Sequence, residues 1–494
     1  MTLGIKQEIK LLARHSAVYS LGTFMQRIVS LLLLPVYTRF LTPYDYGIKE
    51  LVGLSSDVIA ILLATAISGA FYRFYFNYED EKNRNEVFST AVISIGTICL
   101  ISVCLLSLAS STIASTILDN PDLKHFFYIS FSTLWFQTIN NLSYSFLKAR
   151  KKSLSFIGIS FSGMFITIGL NIYFVCFLKI GVMGILLSNL LTSFIVAIFF
   201  TLPLLIRVGF RFSRFKLVEM LRFGLPLIPS QFGAFIVHLS DRFFIKEYVS
   251  IADAGLYALG YRFGTLPGTF ISDPFNQVYQ PRRLEVYKQK DSENVFGRIF
   301  TYFLLLILFV GLCISVMTKD VLMLMAEEKF WSAYKIVPII VLANIVFSFH
   351  YHLNIGIIVH KKTKYLAYIN LSNGILVLAL NFLFIPKYGI FGAAWITLFA
   401  FIYKTAFTYY FSSNFYKVKF ELGRIFKIII VVTAIFLIMQ NIEIQMAWVS
   451  IIVKIISIPF LYLFGLFTIS FFTSEEKIRF LGIIKNVSKK IKVA

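Results

Sequence analysis

Acidic residues are scarce in this chain: 25 Asp and Glu stand against 47 Lys and Arg, and charged residues of both signs make up only 15% of it. A soluble globular protein carries about 25% charged residues, so an ordinary water-facing surface is excluded. Cysteine is rare too. Cys99, Cys104, Cys176 and Cys313 all fall inside apolar runs, which gives no disulfide framework and no metal-ligand spacing and leaves buried free thiols as the expectation. Long polar stretches are also missing, so no separate soluble domain is expected. The segment 1–14 is polar and basic and the first apolar run is too long for a cleavable signal peptide.

What is abundant is apolar: 58% hydrophobic residues, 54 of them Phe. A membrane span needs about 20 mostly apolar residues. The runs predict about fourteen transmembrane helices, at 15–40, 46–72, 87–113, 123–147, 154–178, 182–206, 217–245, 252–280, 297–318, 335–359, 365–385, 389–413, 425–442 and 446–472. The seventh and eighth are amphipathic. The fold class expected is an all-α polytopic membrane protein.

Lys and Arg set the orientation. With a cytoplasmic N-terminus, 33 of them fall on the cytoplasmic side and 10 on the other, while Arg27, Arg262, Lys404 and Lys454 lie within spans. Both termini are therefore expected in the cytoplasm. Most of the +22 net charge is topology signal and contact with phospholipid, so no nucleic-acid partner is expected. Three sequon-like triplets, at Asn141, Asn370 and Asn486, lie in spans or in the tail and carry no weight.

The chain carries traces of a duplication. Residues 38–52 align with 246–260 at an offset of 208, matching Asp45 with Asp253, Gly47 with Gly255 and Leu51 with Leu259. Leu170, Asn171, Gly181 and Gly184 correspond to Leu380, Asn381, Gly389 and Gly392, and the basic clusters at 150–152 and 360–362 also correspond. The repeat covers six spans, an even number, so both copies share one orientation. Two six-helix bundles related by an axis along the membrane normal are expected, with the substrate site between them. The divisions are 1–216, 217–416, and 417–494 for two additional helices and a basic tail.

Polar residues recur on single helical faces. The first span has Ser16, Ser20, Thr23, Arg27 and Ser30, and the second has Glu50, Gly53, Asp57 and Ser68. Gln137, Asn140, Asn141 and Tyr144 mark the fourth, and Gln231, His238 and Arg242 the seventh. The eighth has Arg262, Thr265, Thr269, Ser272, Asn276 and Gln280, with Asp273 beside them. The tenth has Asn344, Ser348, Tyr351 and His352. Ser, Thr, Asn and Gln commonly glue helices together. A guanidinium at membrane depth is different: it costs at least about 2.5–3.5 kcal/mol and normally faces a cavity or a partner. Arg27 and Arg262 are therefore the leading candidates for binding an anionic substrate. Arg242 and Lys49, near the outer ends, line the cavity or snorkel to the interface. Asn276, Gln137, Asn141 and His352 complete the candidate substrate-binding set. Asp57 and Asp273 are either counter-ions of the arginines or ion-coupling sites. Lys404 and Lys454 read as interfacial or lateral.

Residues 20–22, the run from Tyr37 through Pro43 and Asp45 to Gly47, the partner stretch Asp253 to Tyr257, and Leu380 to Ala394 carry a resemblance. The chain resembles the Wzx-like flippases of bacterial polysaccharide synthesis, within the multidrug/oligosaccharidyl-lipid/polysaccharide exporter superfamily. The resemblance implies a carrier in the bacterial inner membrane. It would move undecaprenyl-pyrophosphate-linked oligosaccharide to the outer leaflet by two rocking bundles, for O-antigen or capsule synthesis. Membrane lipids, a polysaccharide polymerase and a chain-length regulator would be its partners. No cofactor is implied. Coupling to protons or sodium would rest on Asp57 or Asp273, and coupling to membrane potential on the excess of Arg and Lys along the polar stripes. Rival readings are a lipid II flippase and a drug exporter, which would favour carboxylates over cations in its cavity. A membrane polymerase would need an outward loop with catalytic groups. The longest here, 319–335, offers Glu327 and Glu328 and no constellation, so no enzyme is expected.

Overall fold

In the computed structural model, residues 33–476 are described apart from 443 and 475; positions 15–32 of the first span, with Arg27, and the basic tail from 477 lie outside them. Every regular element among the described residues is helical. After the short α1 (Leu34–Phe40), α2 (Pro43–Asn77) starts where Thr42 and Asp45 form a capping box. The two side chains satisfy orphan backbone N–H groups reciprocally. Then follow α3 (Glu81–Leu108), α4 (Ser110–Leu118), α5 (Lys124–Ala149), α6 (Ser153–Phe177), α7 (Gly181–Val208) and α8 (Arg214–Leu239). α9 (Asp241–Tyr248) leads to α10 (Ile251–Gly264), whose start is capped by Ser250 accepting from the Asp253 N–H. The caps Thr42/Asp45 and Ser250/Asp253 lie 208 residues apart, so the offset in the sequence recurs as the same local structure.

Beyond α10 the chain runs through α11 (Asp273–Tyr287), α12 (Ser292–Met325), α13 (Glu328–Val359), α14 (Lys364–Ser413), α15 (Leu422–Gln440) and α16 (Ala447–Thr468). Ten helices among the described residues are long and apolar enough to cross a membrane. One of them, α14, is two arms: Gly389 has φ 55°, the left-handed region glycine tolerates. Tyr365 stacks on Phe411, and the Tyr403 hydroxyl donates to Ser372 at 3.1 Å, so the arms run antiparallel. α6 and α7 make the equivalent hairpin, turning at Gly181, also with positive φ. α5, 26 residues long, is outside the ten because its middle is polar.

The expected seventh and eighth spans differ from what is observed. The seventh is interrupted by a 3₁₀ turn at Leu225–Leu227, where Pro226 removes a backbone donor, and ends at Leu239 rather than 245. The eighth is not one helix. It stops at Gly264, passes through a π turn at Gly268–Ser272 and resumes at Asp273, between Pro267 and Pro274. Helix-period stripes drawn across these breaks lose their phase.

Residues 33–208 and 241–413 form two packed halves. α8 leans on both, against α2 and against α14. The halves meet where α2 and α10 cross, and there the repeat-equivalent glycines face each other. A Cβ on Gly47 would run into the Ile251 carbonyl, and one on Gly255 would lie 2.7 Å from the Gly47 nitrogen. Side-chain hydrogen bonds between the halves gather at this end: Thr38 Oγ1 donates to the Met325 carbonyl (3.1 Å), and Lys246 Nζ to Asp119 (2.6 Å) and the Thr116 carbonyl (3.2 Å). At the opposite end Lys216, on α8, pairs with Glu86 at 2.8 Å.

α15 and α16 pack on α12. Lys454, expected at an interface or facing sideways, is instead buried against α12, with Nζ 2.7 Å from Asp320. Leu154, Phe199, Leu371, Trp395 and Phe460 point outward and are exposed. So large an apolar exterior suits lipid rather than water. Cys99 is buried, whereas Cys104 lies on the outside of α3, contrary to the expectation for all four thiols.

Candidate functional site

α5, α6 and α7 enclose a cavity of about 450 Å³ with Lys49 of α2 and Arg262 of α10. Beside it lies a second space of about 310 Å³ that shares Lys49, Gln137, Asn141 and Asn189 with the first and adds Glu50 and Asp57. Both sit within the range of small-molecule sites.

The cations occupy the end nearest the crossing of the halves. Lys49 Nζ is 3.7 Å from Glu50 and lies over the Tyr46 ring, 4.9 Å from its centroid. Arg262 comes from the other half. Its Nη1 donates to the Tyr46 hydroxyl at 3.3 Å, and it makes no ion pair among the described residues. A half-buried guanidinium with a phenol as its polar partner keeps most of its five donors for something else.

The amides divide into two groups. Asn140 is consumed by the fold: it donates to the Ser193 carbonyl (2.9 Å) and accepts from Thr201 (2.8 Å). Asn171 likewise accepts from Tyr37 (3.1 Å) and donates to the Thr167 carbonyl (2.8 Å). The side chains of Gln137, Asn141 and Asn189 make no hydrogen bond to another described residue and open on both spaces. Gln137 and Asn141 are one turn apart on α5, hence on the same face.

Of the residues singled out from sequence, the structure brings Lys49, Gln137, Asn141 and Arg262 together, with Asp57 in the adjoining space. Arg27 lies outside the described residues. Arg242 is elsewhere: it neither lines this cavity nor snorkels. It is 1% exposed inside the second half, 2.6 Å from Asp241, with its guanidinium 4.0 Å from the centroid of Tyr261. The Tyr257 hydroxyl also donates to Asp241 (2.6 Å). The helix breaks between Leu239 and Asp241, and α9 packs against α10 and α14 within the second half. His352 is buried in an aromatic cluster with Phe275, Tyr279, Phe300 and Phe303, the nearest ring centroid being 4.4 Å away. Asn276 is buried beyond the break in the eighth span and donates to Ser272 (3.1 Å). Asp273 opens α11 and does not line the cavity. Neither Asp57 nor Asp273 is the counter-ion of Arg262. Asn189, Thr192 and Tyr46 were not anticipated; Asn189 and Thr192 lie three residues apart on one face of α7, flanked by Ser188 and Ser193, which is the sequence signal that could have found them. Among the described residues no group of three or more His, Cys, Asp or Glu is placed to hold a metal.

Residues 36–318, more than half of the chain, match a family of polysaccharide biosynthesis proteins. The chain belongs to that family. A relative from Haemophilus influenzae, a protein of the Lsg locus, is 27% identical over 293 residues, spanning 56% of this chain and 67% of that one. Among solved structures, the lipid II flippase MurJ in an inward closed conformation superposes with a TM-score of 0.73 at 17% identity, covering 91% of this chain and 98% of that one. An inward-facing multidrug resistance MATE family transporter of the MOP superfamily gives 0.60 at 14% identity, covering 81% and 97%. At such identity the likeness concerns the fold alone.

Proposed function

We propose that the chain is a flippase that carries an undecaprenyl-pyrophosphate-linked oligosaccharide from the cytoplasmic to the outer leaflet by alternating access. The observation that supports this most is Arg262: a cation from one half reaches the polar cavity of the other and has no carboxylate partner among the described residues. With Lys49 it offers a pyrophosphate charge and directional donors, and a guanidinium pairs phosphate oxygens in a geometry an ammonium cannot match. Among the described residues the 450 Å³ cavity has no carboxylate in its lining, which disfavours an organic cation as cargo.

With both termini cytoplasmic, the end fastened by Gly47, Gly255 and Lys246 faces outward and the cavity is served from the cytoplasm. The membrane would be the bacterial inner membrane, with a polysaccharide polymerase and a chain-length regulator acting downstream. The test is genetic. Deleting the gene should remove surface polysaccharide while lipid-linked repeat units accumulate on the cytoplasmic leaflet. Loss of peptidoglycan precursor translocation with surface polysaccharide intact would instead favour the lipid II reading, which the likeness to MurJ keeps in view.

A further inference from the structure

Three amides at membrane depth with no side-chain hydrogen-bond partner among the described residues need an account. In hydrocarbon an unsatisfied polar group costs several kcal/mol, so helices either pair such groups or turn them to a wet cavity. Asn140 and Asn171 in the same half follow the first course, while Gln137, Asn141 and Asn189 follow the second. The three come from two helices and border the same two spaces as Lys49. Thr192 lies beside them, its hydroxyl 3.1 Å from that of Thr167. The lining also includes Tyr144, whose ring packs against Phe200 with centroids 6.1 Å apart.

An amide offers a donor and an acceptor in one plane, and a hydroxyl is both donor and acceptor. Planar amides are therefore matched to adjacent hydroxyl groups on a ring, and a fixed aromatic ring supplies an apolar face. An anion would make little use of amide oxygens, and a cation would be repelled by Lys49 and Arg262.

We infer that Gln137, Asn141 and Asn189 form a saccharide subsite that reads a sugar of the cargo, next to a diphosphate subsite made by Lys49 and Arg262. The inference rests on the flippase reading. It adds that recognition is divided: the amides of the first half sense the sugar, and the cations sense the diphosphate. Asn189 is the specificity residue least expected from sequence.

The experiment uses the full chain in lipid nanodiscs and two probes: geranylgeranyl pyrophosphate, and the same lipid with an N-acetylhexosamine on its pyrophosphate. The wild type should bind the sugar-bearing probe more tightly. Asn141→Ala with Asn189→Ala should weaken that probe about tenfold, the worth of two ordinary hydrogen bonds, and leave the bare pyrophosphate lipid unchanged. Unchanged binding of the bare lipid also reports that the variant is folded. Arg262→Ala should weaken both probes. As a second measurement, a cysteine at position 189 (Asn189→Cys) should be protected from a thiol reagent by the sugar-bearing probe and not by the bare one. If the sugar adds no affinity, or the double variant keeps the gain, the saccharide subsite is wrong and the flippase reading stands. If the wild type binds neither probe, both fall.

Discussion

Lys246 and Asp119 belong to different halves of the molecule and hold them together: Nζ of one is 2.6 Å from a carboxylate oxygen of the other. Lys246 is nearly buried, whereas Asp119 is two-thirds exposed. Burial alone would lower the Lys246 pKa, but its bonds to Asp119 and Glu247 outweigh this and hold it above 10.5. A raised pKa means that the contribution is complete below the ordinary value and is lost as pH climbs through the raised one. On the lysine side the fastening is therefore constant through neutral pH and weakens in strong alkali.

Lys246→Ala should release this end. A partly exposed pair is worth about 1 kcal/mol or less, so the closed-to-open ratio should fall by a few-fold. A cysteine placed at Thr116 would report it as faster labelling from the outer side. The swap of Lys246→Asp with Asp119→Lys should restore the wild-type rate; failure to do so would mean the pair is not the fastening.

Arg262→Ala should abolish polysaccharide export at normal protein level, because charge-assisted hydrogen bonds are worth about 1.5–3 kcal/mol each. Arg262→Lys should rescue in part, since it returns charge but not the planar fork. Wild-type export by the alanine variant would remove this residue from the mechanism.

Arg242 should behave differently although it is also an intramembrane arginine. Removing one member of a buried pair costs about 3–5 kcal/mol, whereas replacing both by apolar groups is often tolerated. Arg242→Met should therefore lower the unfolding temperature and the protein level. The double variant Asp241→Leu with Arg242→Met should recover both, with export intact. A double variant that is stable yet inactive would give Arg242 a transport role.

Transport should also respond to voltage. A pyrophosphate diester carries about two negative charges, each worth about 2.3 kcal/mol per 100 mV across the full membrane. An inside-negative potential then favours outward movement without any bound ion. Proteoliposomes with an imposed potential and no proton or sodium gradient would show it. An outward rate indifferent to the sign of the voltage would shift attention to Asp57 as an ion-coupling site.

Some of this architecture was legible in the sequence because it is local. The Asp45/Asp253 and Gly47/Gly255 matches were readable as a repeat, and they correspond to two helix caps and one helix crossing. Arg262 stood out because its charge is improbable at its depth. Arg242 was misread for a physical reason: its stripe with Gln231 and His238 assumes one helix, and the chain breaks between Leu239 and Asp241, so helical phase no longer says which way a side chain points. His352 belonged to a polar stripe by spacing yet lies among aromatic rings from α11 and α12, and such packing leaves no trace in a single helix. Asn189 and Thr192 share a face of α7 that the sequence carries, but what that face meets shows only in the docking of α7 beside α5.

The crossing of Gly47 and Gly255 has a mechanical consequence. It lies near one end of α2, and from Gly47 to Asn77 the helix extends about 45 Å at 1.5 Å per residue. A rotation of about 10° about that point would carry the far end through about 8 Å on this same geometry, while atoms beside the pivot shift by less than a bond length. The two missing side chains thus act as a bearing on a long lever. A wide aperture for a bulky head group can open at one face of the membrane with almost no repacking at the other. α8, whose Gly224 lies against the α2 backbone at Ala66, would travel with the moving arm.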